Sequence, residues 1–86
     1  MDRYVIAYIH PFVLEQEISI YGDDGVLWKT FNCTLDKMEE MIYEICEAYG
    51  IQDVHTKGGQ LYAMKFKDDF VANKFGNKNI NIIIEG

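Results

Sequence analysis

Four side chains of this sequence are the natural candidates for proton transfer, metal ligation or nucleophilic attack: His10, His55, Cys33 and Cys46. His10 closes an apolar run and His55 lies in a second short one. On parallel strands both would fall toward the carboxyl ends, where α/β proteins tend to bind ligands. There they could form a proton-transfer or metal pair with Asp53 or Glu85. No third ligand follows at a zinc-site spacing and no HExxH motif occurs, so two strand-end polar residues with local hydrogen bonds are the better expectation. Cys33 and Cys46 are separated by 12 residues without a CxxC, which predicts two ordinary reduced thiols. Pairing Cys33 with a histidine as a nucleophile rests on residue types alone. Lys57-Gly58-Gly59 could turn backbone N–H groups toward an anion. It lacks both the GxxxxGK[ST] and the GxGxxG spacing, and it reads as a strand-to-helix turn that needs glycine's freedom in φ. No catalytic, cofactor-binding or metal residue is therefore assigned.

The elements that would position these residues follow from periodicity. Tyr4 to Ile9 is β-branched, aromatic and apolar without alternation, which predicts a central strand covered on both faces and stopped by His10-Pro11. Leu14, Gln16, Ile18 and Ile20 alternate with Glu15, Glu17, Ser19 and Tyr21, the pattern of a half-buried strand. Gly22-Asp23-Asp24-Gly25 is a hairpin turn, and Val26 to Phe31 returns as a third strand. Thr34 then suits an N-cap. Leu35, Met38, Met41, Ile42, Ile45, Cys46 and Tyr49 share one helical face, and Gly50 closes the helix. Ile51 to Thr56 predicts a strand parallel to the first. Gln60 to Phe75 predicts a second helix and Asn79 to Glu85 a last strand. The expected fold class is α/β (α+β): a single domain over residues 1–86, β-β-β-α-β-α-β, with two helices on a mixed five-stranded sheet.

That element order is similar to the minimal ribonuclease H-like fold of RuvC-type resolvases and the actin-like ATPase superfamily. The opening Tyr4-Val5-Ile6-Ala7-Tyr8-Ile9-His10-Pro11, a second strand, and Gly22-Asp23-Asp24-Gly25 resemble the apolar strand, turn and hairpin with which RuvC-like proteins begin. The resemblance implies a first catalytic aspartate where His10 stands and a turn glycine where Phe12 stands. It also implies a second acid near the end of the fourth strand, where Val54-His55-Thr56-Lys57 has none. Two-metal nuclease chemistry needs converging carboxylates. On these positions the catalytic set is degenerate.

Charge separates the function classes further. The chain has 86 residues, 14 acids and 8 bases, a net charge of −6 and a pI near 4.7. A field of that sign opposes direct nucleic-acid binding. Residues 1–56 carry eleven acids against three bases, and residues 57–86 carry three acids against five lysines. The hairpin and first helix thus form an acidic half, either a solvated face that keeps the protein in solution or a surface suited to a basic protein partner. In the second helix Tyr62, Ala63, Phe66 and Phe70 fall on one side, whereas Leu61, Met64, Val71 and Phe75 fall on the other. A surface helix needs only one apolar row, so either the second row is a candidate partner contact or the helix is short and Val71 onward turns inward.

The expected function is a non-catalytic protein-binding module. Its most concrete form is a small acidic inhibitor from a phage or mobile element, similar in size and charge to anti-CRISPR proteins and other inhibitors of host nucleic-acid enzymes. The expected partner-binding residues are Asp23, Asp24, Glu39, Glu40, Glu44, Glu47, Met64, Val71 and Phe75. The alternatives are a reduced RNase H-like nuclease, a nucleotide-binding domain, and a structural subunit that assembles with itself. Without a secretory leader or an apolar span, a cytoplasmic, non-membrane protein is expected.

Overall fold

The apolar run near the start of the chain forms β1 (Arg3–Ile9), and it becomes the middle of the sheet. The computed structural model describes residues 3–10, 12–71 and 80–85. After β1 come β2 (Glu15–Gly22), β3 (Leu27–Thr34), a 3-10 turn (Leu35–Lys37) and α1 (Met38–Tyr49). The chain continues through β4 (Asp53–Gly58), α2 (Gln60–Val71) and β5 (Asn81–Ile84). All five strands belong to one mixed sheet in the order β3-β2-β1-β4-β5. β1, β2 and β3 form an antiparallel meander, β4 runs parallel to β1, and β5 runs parallel to β4. This is the single small α/β domain that the periodicity predicts.

Alternation along the strands divides the sheet into two unlike faces. Val5, Ala7 and Ile9 of β1 pack with Ile18, Ile20, Val54 and Ile82 of the neighbouring strands. Met38, Ile42, Ile45 and Cys46 of α1 and Ala63 and Phe66 of α2 close over them. The opposite face carries no helix among the described residues. Tyr4 and Tyr21 stack across β1 and β2 with ring centroids 5.6 Å apart, and Ile6 between their rows is nonetheless buried. The uninterrupted apolar character of β1 thus reflects helices on one face and tyrosine rings on the other.

Several boundaries differ from expectation for local reasons. β3 runs on to Thr34, because Asn32, Cys33 and Thr34 pair with Glu17, Gln16 and Glu15 of β2. The Thr34 hydroxyl makes no capping bond to the backbone. It donates instead to the Asp36 carboxylate at 2.5 Å, and a 3-10 turn precedes α1. Leu14 lies outside β2, and the buried position it was expected to lead begins with Gln16. A bulge between Ile20 and Tyr21 interrupts the β2–β3 register opposite Trp28. Gly50 ends α1 as expected, in the left-handed conformation at φ +65°. The expected continuation of the second helix to Phe75 falls on residues 72–79, which lie outside the described set, as does the side chain of Val71.

Candidate functional site

Of the pairings open to the two histidines, one forms. His55 Nδ1 lies 2.6 Å from Glu85 Oε1, and the Lys57 ammonium lies 3.9 Å from the other carboxylate oxygen. The Tyr4 ring meets His55 at a steep angle, with centroids 5.4 Å apart. Asp53 accepts a hydrogen bond from Asn81 Nδ2 at 3.1 Å. His10 is exposed, and its ring is parallel to that of Tyr8 with centroids 6.5 Å apart. His55 pairs with Ile6 in the register, so His10 stands four positions farther along, roughly 13 Å at ~3.3 Å per residue. The two imidazoles do not converge. Among the described residues no group of three His, Cys, Asp or Glu side chains is placed to hold a metal ion.

The thiols are poor nucleophiles. Burial, with the Glu47 charge adding to it, pushes the Cys46 thiol up to about 12. Burial and then Asp36 raise Cys33 in the same direction. Both cysteines are free, and the reactive thiolate is disfavoured at each. At Lys57-Gly58-Gly59 the unusual φ falls on Gly58, at +96°. The Gly59 N–H donates to the Ile9 carbonyl at 3.0 Å, and the Gly59 carbonyl accepts from Ala63 N–H at 3.0 Å. That N–H is committed to β1 and is not turned toward an anion.

The acidic residues separate into an outward set and an inward one. Glu40, Glu44 and Glu47 are exposed along α1 at helical spacing, and Asp23 and Asp24 are exposed in the β2–β3 hairpin. An edge contact between Trp28 and Tyr49, with centroids 5.1 Å apart, brings the start of β3 beside the last turn of α1. The hairpin acids and Glu47 therefore share one end of the molecule. Arg3 covers the Trp28 ring at 4.0 Å, so this half-exposed tryptophan already has a cationic neighbour.

Glu39 belongs to the inward set. Its Oε1 accepts from Lys65 Nζ at 2.5 Å, and Lys65 also reaches Asp69 Oδ2 at 3.1 Å. Burial, followed by the neighbouring Asp69 carboxyl, raises the Glu39 pKa despite the pull of Lys65. Above the ordinary value of 4.5 and below the raised one, the folded protein holds a proton that the unfolded chain releases. Across that window Glu39 makes stability fall as pH rises. Asp69→Asn should move the Glu39 titration to lower pH in a carboxyl-carbon NMR titration. An unchanged midpoint would show that Asp69 does not act on it.

On α2 the two apolar rows have different fates. Ala63 and Phe66 pack on the sheet, whereas Leu61 and Met64 face solvent. Met64 is thus exposed, and Phe75 lies outside the described residues. Among the described residues, the largest apolar exposure is not at the expected site residues. It is at the β1–β2 turn, where Phe12, Val13 and Leu14 project to solvent beside a cleft of about 610 Å³. The available signal was three apolar residues in a row directly after a proline, where a turn is normally polar.

No protein-family model matches the chain, and no curated protein matches it in sequence. No helix among the described residues is long and apolar enough to cross a membrane.

Proposed function

We propose that this chain is a protein-binding module whose partner presents a basic surface, with inhibition of a host nucleic-acid-binding enzyme as its concrete form. The observation that carries this reading is the outward row Glu40, Glu44 and Glu47, exposed on the helix that borders the exposed hairpin acids Asp23 and Asp24. Carboxylates placed this way steer a cationic surface into encounter before any contact forms. The comparison with anti-CRISPR proteins is one of size and charge.

The test has two stages. The wild-type chain and a Glu40→Lys/Glu44→Lys/Glu47→Lys variant are used as bait in native host lysate, and the captured protein is purified. Association with that protein is then followed across ionic strength. The rate is expected to fall about tenfold or more between roughly 0.02 and 0.3 M salt, as the Debye length contracts. The triple variant should lose most of the rate. A salt-independent rate that survives charge reversal would defeat the reading.

The element order, with two parallel steps following a meander on one mixed sheet, supports a ribonuclease H-like ancestry as a second reading. The His55–Glu85 contact is the feature an enzymatic version would use, since a carboxylate on Nδ1 orients the imidazole. Metal-dependent cleavage of RNA, single-stranded DNA or branched DNA, abolished by His10→Ala or His55→Ala, would establish this reading over the first.

A further inference from the structure

The β1–β2 turn is apolar where a turn is ordinarily polar. Phe12 is 99% exposed, Leu14 83% and Val13 52%. Contiguous exposed apolar side chains in a small domain mark a surface that another molecule covers. This turn is also held in place. Gln16, fully buried below it, accepts the His10 N–H at 2.5 Å through Oε1. Its Nε2 donates to the carbonyls of His10 and Val13 at 2.9 and 3.1 Å. The Val13 N–H closes the turn onto the His10 carbonyl at 3.1 Å. A backbone fixed in this way loses little conformational entropy on binding, which is how a preorganised anchor gains affinity.

Beside the turn lies the cleft, lined by Val13, Leu14, Leu35, Tyr62 and Phe66. Leu61, 81% exposed at the start of α2, directly precedes the cleft residue Tyr62 in the chain. The position is the one that open α/β sheets commonly use, beyond the carboxyl ends of β1 and β4. Protruding anchors next to a recess suit a protein partner better than a small molecule, which would need enclosing walls.

The charges around the cleft select the partner's chemistry. Asp36 and Glu39 line it, and Glu15 follows Leu14 directly. The lysine that lines it, Lys65, is already held between Glu39 and Asp69. The hydrogen bond from Thr34 holds the Asp36 carboxyl below the usual carboxylate range, so it stays charged. Such a rim repels an anionic bilayer or a nucleic acid and attracts a cation.

We propose that the Phe12–Leu14 turn and the adjoining cleft form the docking face for a segment of the partner protein that carries an apolar side chain beside an arginine or lysine. The apolar group fills the cleft, the cation meets Asp36, and Phe12 and Leu14 enter the partner. This rests on the reading that the chain binds a basic protein, and it places the contact away from the outer row of α1. Steering acts over about a Debye length, whereas anchoring requires desolvated contact, so the two surfaces have separate tasks.

The probe is a set of synthetic peptides, about eight residues long, that share the same leucines and phenylalanines. Their remaining positions are arginine in one, glutamine in the second and glutamate in the third. Binding to the intact chain is followed by NMR. The arginine peptide is expected to shift Val13, Leu14, Leu35 and Tyr62 and to bind about tenfold or more tightly than the glutamine peptide. The glutamate peptide should not bind. Leu14→Ser/Leu61→Ser changes only exposed side chains, so it should fold normally and still lose about tenfold or more in affinity. Asp36→Asn should narrow the preference for arginine over glutamine.

Equal affinity for the three peptides, unchanged binding by the double serine variant, or no binding by any peptide would overturn the proposal. So would a concentration-dependent dimer that the double variant abolishes, because the face would then belong to a second copy. Shifts confined to Glu40, Glu44 and Glu47 would also overturn it while leaving the protein-binding reading intact. Conversely, the salt and charge-reversal measurement with the captured partner leaves the cleft residues unchanged, so the two readings can fail independently.

Discussion

Gly58→Ala is expected to destabilise the protein by roughly 3 kcal/mol, from a strained backbone combined with a steric conflict. Gly58 has φ +96°, which L side chains rarely adopt, and a Cβ there would lie 2.3 Å from the Ile9 carbonyl oxygen. That oxygen belongs to the backbone of the central strand and also accepts the N–H of Gly59. It cannot swing aside as a side chain would. Relief requires β1 and β4 to separate where they pair, or α2 to start in a different place. Gly25→Ala and Gly50→Ala provide the controls, because each has a positive φ but open space where the Cβ would go. Each control should cost only about 1 kcal/mol. Denaturant unfolding of all three variants separates strain from collision. A Gly58 variant no less stable than the controls would show that the β1–β4 junction yields easily.

The second large effect is at Phe66. This side chain is 2% exposed, the largest fully buried one among the described residues, and with Ala63 it packs α2 on the sheet. Truncation to alanine removes the burial of an aromatic ring and leaves a void that neighbouring side chains fill only in part. The expected loss is about 3–5 kcal/mol, a large share of the stability of a small domain. Phe66→Leu should cost about 1–2 kcal/mol, since it retains most of the apolar volume. Near-native stability for Phe66→Ala would mean that α2 contributes little to the fold. Phe66 also lines the cleft, so the leucine variant permits a functional reading in a protein that remains folded.

The acidic and apolar features of the surface lie in different places, and the physics of association gives them different ranges. The carboxylates of α1 and the hairpin act through solvent and are weakened by salt. Apolar anchoring at the proposed Phe12–Leu14 face would act only on contact, and its apolar part would depend little on salt. A partner meeting both surfaces would show an association rate that depends more steeply on salt than its lifetime does. That combination distinguishes steering plus anchoring from adhesion by charge alone.

Much of the architecture was legible in the linear order of residues. The apolar run of β1, the alternation of β2, the Gly22–Gly25 turn and the amphipathic period of α1 are local signals. Each depends on neighbours a few positions away, and together they determine the element order, the mixed sheet and the single domain. Lys57-Gly58-Gly59 was equally readable as a turn that needs glycine. The net charge and its concentration before residue 57 were likewise present without any structure.

Tertiary contact decided what the exposed residues do. Glu39, Glu40, Glu44 and Glu47 look alike in sequence, yet Lys65, 26 residues away, turns Glu39 inward and leaves the others facing solvent. Leu14 continues the strand alternation on paper. The hydrogen bonds of Gln16 to His10 and Val13 end that pattern and leave an apolar turn outside. His55 had two candidate carboxylates, and the β4–β5 register together with Asn81 gave Asp53 another partner and left Glu85 beside the imidazole. Periodicity specifies which side chains share a face of an element. Whether that face meets the core, a counter-charge or water depends on elements distant in sequence, and that was settled only by packing.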